Sequence, residues 1–310
     1  MPTKTRLMDI PKPQQVRLAF IEFRLLFLGS VNRPDLAKRF GVSESAASRD
    51  LALYRQLAPE NILYNRSDAV YLPNESFIPL FEHSPEKSLI ALSEGVGDDL
   101  IVMPDAWLPS ELSTRLNLPS LSILVPVSRA LYQGKTIKIS YRSLSSGLSE
   151  KALIPLVLVD NGLRWHLRAY DLTRARFADF VLNRIETVVV SDAILEADVL
   201  RAKDLQWHKR ITLELIPHPK LLHPESVAHE FAMSHGCLTV ETKAALAGYL
   251  LRRWNVDCTV NHSLKGSEYL LWLRNSAEII QLNETQAIDV SIAPGMNLQT
   301  SSALHGGSTC

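Results

Sequence analysis

The chain has 310 residues, 46% hydrophobic and 21% charged, a balance that fills apolar cores for two or three domains and excludes a disordered or fibrous polymer. No apolar run reaches the ~18 uncharged residues of a membrane helix, and MPTKTRLMDIPKPQQ lacks the apolar core and cleavage site of a secretion signal. The odd set Cys237, Cys258 and Cys310, without paired spacing, predicts a cytoplasmic protein with no disulfide framework.

A net charge of zero conceals alternating modules. Lys and Arg outnumber Asp and Glu by 11 to 7 over residues 1–72 and by 9 to 5 over 134–190. They are outnumbered by 8 to 3 over 73–133 and by 13 to 10 over 191–310. A neutral protein is a poor non-specific binder of DNA, so contacts to nucleic acid must come from placed side chains and from avidity in a dimer.

In chain order, VRLAFIEFRLLFLGSV (16–31) predicts an apolar amphipathic helix, and PDLAKRFGVSESAASRDL (34–51) then reads as a helix-turn-helix. Pro34 suits a first helical turn, where its missing N–H costs nothing. Leu36, Ala37 and Phe40 recur at helical spacing, Gly41 sits where the chain must turn, and Ser43 is a good N-cap for the second helix. Ala47, Leu51 and Tyr54 form the inward face of that helix, leaving Glu44, Ser45, Ser48, Arg49 and Arg55 outward. Short polar groups and arginines are what a helix needs to read base edges in the major groove. NILYNRSDAVYL (61–72) adds two β-prone runs around the turn Asn65-Arg66-Ser67-Asp68, completing the order of a winged helix-turn-helix. Ser45 and Arg49 are the candidates for base contact, with Arg33, Arg55 and Arg66 on phosphate. Ser43, Glu44, Ser48 and Asn65 complete the candidate DNA-binding set.

From about Gln15 to Leu80 the chain resembles winged repressors of the DeoR type, with GVSESAASRDL in the place of the recognition helix. FIEFRLLFLGSVNRPDLAKRFGVS and LAPENILYNRSDAVYLP are similar to the amino-terminal part of the BrxR and CapW group, bacterial regulators of phage-defence loci. The resemblance implies a transcriptional repressor, and the winged-helix mode of DNA binding suggests a homodimer on an inverted repeat.

Residues 77–131 read as short helices and turns interrupted by Pro85, Pro104, Pro109, Pro119 and Pro126, a linker able to change geometry. From Lys135 the period becomes two. KTIKISYRS (135–143), ALIPLVLVD (152–160), LRWHLRAYD (163–171) and FVLNRIETVVV (180–190) are strand candidates, with Asn161-Gly162 a hairpin turn, and together suggest a small Sm- or SH3-like barrel. In the third strand Leu163, Trp165, Leu167 and Ala169 share an apolar face. Arg164, His166, Arg168 and Tyr170 share the other, a set of phosphate donors and rings with no carboxylate among them. Ser140, Arg142 and Arg184 extend that patch, whose natural partner is an anionic nucleotide or oligonucleotide.

Trp165-His166-Leu167 resembles the signature of the WYL domain, with His166 at the tyrosine position, and SYRS (140–143), Pro155-Leu156 and FVLNRIE (180–186) agree. The resemblance implies an Sm-like barrel that senses a nucleic-acid or nucleotide ligand. With Tyr141 and Trp165 of the matching motifs, the candidate ligand-binding set is Ser140, Tyr141, Arg142, Trp165, His166, Arg168, Tyr170 and Arg184.

Beyond Trp207, RITLELIP and GCLTVET read as strands, PESVAHEFAM and the stretch from Lys243 to Trp254 as helices, and NLQTSSALHGGSTC as a disordered tail. No GxxxxGK[ST], GxSxG or HExxH is present, so the sequence does not suggest an enzyme. His218, His223, His229, His235 and Cys237 have no zinc-site spacing, and no metal or cofactor is expected. The predicted fold class is α+β and multidomain: a winged helix-turn-helix (1–76), a helical linker (77–133), a WYL barrel (134–200), an α+β extension suited to dimerisation (201–295) and a tail (296–310). The predicted partners are double-stranded operator DNA, a second copy of the chain and an anionic effector, with no membrane. A nucleic-acid-binding adaptor or accessory subunit of a defence enzyme, without promoter specificity, is the alternative.

Overall fold

The computed structural model describes residues 7–94, 118–194, 197–285 and 288–296. The expected breaks at Pro104 and Pro109 and almost all of the expected tail lie outside them. The chain divides into two compact units, the first comprising the sequence to Val159 and Arg164–Leu195, the second Asp160–Leu163 and the sequence from Glu196.

In the first unit, α1 (Lys12–Phe23) runs on into a π-turn, Arg24–Leu28, which ends at Gly29 in the left-handed conformation (φ 78°). The residues α2 (Arg33–Phe40) and α3 (Glu44–Leu57) form the predicted helix pair, joined through Gly41 at φ 64°. The first of them starts one residue before Pro34. Its cap is a reciprocal box, in which Asn32 Oδ1 accepts from Asp35 N–H at 2.9 Å and Asp35 accepts from Asn32 N–H at 2.8 Å. Ser43 caps the second helix as expected, its Oγ accepting from Ala46 N–H. The wing is β1 (Ile62–Asn65) paired antiparallel with β2 (Val70–Pro73). Leu18, Ile21 and Leu25 of the first helix and its π-turn close over Leu36, Ala47, Leu51 and Tyr54, all fully buried.

Among the described residues two further helices follow, α4 (Pro85–Glu94) and α5 (Leu121–Gln133). Pro126 was expected to break the second of these, but it lies inside a continuous helix. Proline removes one ladder bond, and burial of Ile123, Leu124, Val127 and Ala130 holds the helix together around it. These side chains share one core with Phe23, Leu26 and Phe27 on one side and Ile137, Ile139, Leu153 and Leu167 on the other. The described part of the expected linker is thus packed structure on which both neighbours rest.

The sheet of this unit has the order β6-β5-β4-β3-β7, from β3 (Lys135–Ser143), β4 (Gly147–Asp160), β5 (Trp165–Asp171), β6 (Arg176–Val181) and β7 (Ile185–Ile194). FVLNRIETVVV is therefore split by a 3-10 turn at Leu182–Arg184. The edge strands β6 and β7 are not paired with each other among the described residues, so the hydrogen-bonded ring of a closed barrel is not seen. The sheet nevertheless curls. Tyr141 on β3 stacks edge-on against Phe180 at 5.2 Å, and its hydroxyl accepts from Val181 N–H at 3.3 Å. Those partners stand three strands away, roughly 14 Å across a flat sheet.

The second unit contains α6 (Ala197–Lys203), α7 (Leu205–His208), β8 (Arg210–Pro217), α8 (Pro224–Glu230), β9 (Leu238–Lys243), α9 (Ala244–Arg253), β10 (Val256–Asp257), β11 (Leu271–Leu273) and α10 (Ser276–Glu284). Its sheet order is β10-β11-β8-β9. Leu213, Leu215, Leu251, Val256 and Leu273 centre its core. His218 is spent on structure, with Nε2 3.1 Å from Asp257 Oδ2 and Nδ1 accepting from Lys220 N–H at 3.2 Å. Burial alone would raise the carboxyl of Asp257. The hydrogen bonds from Thr259, His218 and Leu264 outweigh it and hold the group below its ordinary value.

Candidate DNA interface and effector face

The outward side of α3 carries Glu44, Ser45, Arg49 and Arg55 in the open, with Ser43 just before it and Arg33 exposed at the start of α2. Ser48 is half-buried and donates to Glu44 C=O at 2.8 Å, so its hydroxyl proton is committed to the helix. Ser43 and Ser45 share a hydrogen bond at 2.9 Å. Among the described residues nothing pairs with Arg49 or Arg55, which stand as the long cations of the face, with Ser45 beside the helix N-terminus.

The inward side of the same helix is fixed by polar contacts that apolar periodicity does not predict. Asp50 is buried and takes Arg17 Nε at 2.6 Å and Gln14 Nε2 at 2.8 Å, both from α1. One turn on, Tyr54 donates to Glu22 Oε2 at 2.8 Å. Glu22 is fully buried and accepts three more bonds, from Leu80 N–H (2.7 Å), Phe81 N–H (2.9 Å) and His83 Nε2 (2.9 Å). Asn61, at the root of the wing, donates to the Tyr54 hydroxyl and to Ile78 C=O and accepts from Ile78 N–H. Burial and the neighbouring carboxylate push the Tyr54 phenol far above its ordinary value, so it remains a donor. An acid spaced with Ala47, Leu51 and Tyr54, and another spaced with Leu18, Ile21 and Leu25, were the signals available in the sequence.

In the wing, Asn65 is occupied by its own turn. Its Oδ1 accepts from Ser67 N–H at 3.0 Å and its Nδ2 donates to Asp68 at 2.7 Å. Arg66 is exposed at the tip. Tyr64 and Leu63 are also exposed on this hairpin, and Tyr64 packs on Tyr71 at 4.7 Å.

The second predicted face differs from expectation in two ways. A face that takes a ligand must be reachable, yet His166 is 2% and Arg168 3% exposed, with Ser140 also buried. It was expected to be free of carboxylates, yet the adjoining strands bring them in. Arg168 stands directly opposite Asp179 on β6, and its Nη1 lies 3.1 Å from the carboxylate. Arg142 donates through Nε to Glu186 at 2.8 Å in an exposed pair. Alternation within one strand assigns a face correctly but says nothing of its cross-strand complement. Tyr170 is half-buried and edge-stacked on Phe177 at 5.1 Å, and Arg184 is half-buried in the 3-10 turn. Trp165 and Tyr141 belong to the opposite, core side, as their own alternation with Leu167 and Ile139 requires. Arg142, Tyr170 and Arg184 therefore offer what open surface the candidate face has, with Arg168 and His166 beneath.

Comparison with known proteins divides the chain in the same order. Residues 13–92 match the BrxR transcriptional regulator winged helix-turn-helix domain, 122–190 the WYL domain, and 210–279 the BrxR transcriptional regulator C-terminal dimerization domain. A protein of Escherichia coli (strain KTE188) described as DNA-binding transcriptional repressor CapW is 31% identical over 285 residues, covering 87% of this chain and 91% of its own length. Proteins of the same description from Pseudomonas aeruginosa and Stenotrophomonas maltophilia are 33% and 27% identical. They cover 79% and 86% of this chain and 83% and 91% of their own.

Proposed function

The chain belongs to the BrxR and CapW family of transcriptional regulators, and on that premise we propose that it is a homodimeric DNA-binding repressor acting in the cytosol on the promoter of a phage-defence operon. The observation that carries this reading is the two-sided construction of α3. One side is locked by Asp50, Leu51 and Tyr54, and the other presents Ser45, Arg49 and Arg55 to solvent. Such a helix is a rigid probe with exposed cations, which is what readout of base edges requires. Two copies would enter successive major grooves of an inverted repeat, with Arg33 and Arg66 on flanking phosphates. The 210–279 segment would hold the copies together.

Arg49→Ala is expected to weaken operator binding by about 1–3 kcal/mol and to relax preference at one base position. Arg66→Ala is expected to weaken all duplexes alike and to lower the slope of affinity against salt by about 1. Fluorescence titrations with operator and scrambled duplexes over a salt series distinguish the two. An Arg49→Ala protein that binds the operator like wild type removes α3 as the reading helix. An anionic nucleotide or oligonucleotide on the outer face of the five-stranded sheet, over Arg142, Arg168, Tyr170 and Arg184, would modulate this binding. It does so only to the extent that it prefers one of two dimer geometries.

A further inference from the structure

The C-terminal end of α1 is finished by a different part of the chain. The π-turn spends Gly29 N–H on Arg24 C=O at 2.9 Å, leaving the carbonyls of the following four residues as the orphans found at any helix end. All four are met by side chains from α5, more than a hundred residues later. Arg129 donates through Nη2 to Leu25 C=O at 3.2 Å and through Nε to Leu26 C=O at 2.6 Å. The one hydroxyl proton of Ser128 is shared between Phe27 C=O at 2.9 Å and Val125 C=O of its own helix at 3.0 Å, and Gln133 donates to Leu28 C=O at 3.2 Å. Among the described residues no carboxylate pairs with Arg129. Its charge lies at the negative end of the helix dipole, where a cation is favoured. A side chain at Gly29 would be strained at φ 78°, and its Cβ would stand 2.3 Å from Gln133 Nε2, pushing that amide away from the helix end.

The two ends of this arrangement carry different tasks. The gripped helix holds the reading helix through Arg17 and Gln14 on Asp50 and Glu22 on Tyr54. The gripping helix passes through Gly134 directly into β3 of the sheet. Every rigid joint between the sheet and α3 helps to set where α3 points. We propose that Arg129 is a positioning residue for DNA recognition: with Ser128 and Gln133 it caps α1 and so fixes the bearing of α3 relative to the sheet. A purely stabilising role would alter melting temperature and all DNA affinities together. A positioning role alters which separation of half-sites is accepted.

The inference rests on the dimeric-operator reading, and the experiment separates the two. Full-length wild type, Arg129→Met, Arg129→Lys and Gly29→Ala are titrated with three duplexes: the operator, the same operator with one base pair added between half-sites, and a single half-site. Melting temperatures are recorded alongside. Wild type is expected to prefer the native spacing by about tenfold or more. Arg129→Met keeps the stem but none of the donors, and should reduce that preference to about threefold or less with half-site affinity preserved. Arg129→Lys should recover part of it. Gly29→Ala strains the left-handed end of α1 and displaces Gln133 from Leu28 C=O, loosening the same helix end from the other side. It should repeat part of the loss and decides the matter if Arg129→Met does not fold. Full spacing preference in either folded variant overturns the proposal, as does an equal loss on all three duplexes. Absence of spacing preference in wild type overturns the dimeric-operator reading and the proposal with it.

Discussion

Glu22→Gln is expected to destabilise the first unit by about 2–3 kcal/mol, although the two side chains have nearly the same shape. Each carboxylate oxygen serves two donors, Oε2 those of Tyr54 and Leu80 and Oε1 those of Phe81 and His83. An amide presents one oxygen and one NH2 group. In either orientation the NH2 meets a backbone N–H that cannot accept, at a site with no exposure. The Tyr54 hydroxyl can rotate to accept from it, which makes one orientation cheaper, but Leu80 N–H is then orphaned. Glu22→Ala removes both acceptors and should cost about 3–5 kcal/mol. Urea unfolding followed by tyrosine fluorescence measures both. The expected order is Ala worse than Gln, and Gln well below wild type. A Gln variant as stable as wild type contradicts the double-acceptor geometry. Because Glu22 ties the reading helix to the segment from Leu80 to His83, the same variants should also lose operator affinity.

Arg168→Ala is the second large effect, and it has two parts. Arg168 is 3% exposed and the side chain of Asp179 14%, so deleting the guanidinium breaks an ion pair largely removed from water, at a cost on the order of 3 kcal/mol. The same change removes a cation from the proposed effector face. The double variant Arg168→Met/Asp179→Leu separates the parts, since replacing a buried pair by apolar groups of similar size is often neutral. It should recover most of the lost stability, keep operator binding and fail to respond to oligonucleotide effectors. Thermal denaturation and an effector-release titration on the same preparations give both readouts. An undiminished response in the stable double variant removes Arg168 from the effector site.

The legible parts of this sequence were those in which a local pattern decides the structure. Gly41 and Ser43 marked the end of one helix and the start of the next, and the 47, 51, 54 spacing gave the buried face of α3. The period-two stretches gave the strands of the first unit's sheet and the faces of Ile137, Ile139 and Leu167. Contacts decided at long range were not legible. Asp179 opposite Arg168 depends on register with a strand that the sequence placed late, beginning it at Phe180 when it starts at Arg176. Pro126 looked like a breaker because its cost is local, whereas the burial that offsets it comes from Phe27 and the sheet. Glu22 and Asp50 stood at inward spacings where an acid looked like an exception. Both proved to be the points at which α1 grips α3. Burial of that kind can be suspected from spacing, but its partners lie between 32 and 61 residues away.

The most direct test of the central claim is a nuclease footprint of the purified protein on the DNA upstream of its own gene. A dimeric repressor should protect an inverted repeat whose half-sites lie one or two helical turns apart, with protection lost in Arg49→Ala and weakened as salt rises. Weak, salt-sensitive binding everywhere, with no protected repeat, would contradict it and leave α3 a general clamp on nucleic acid.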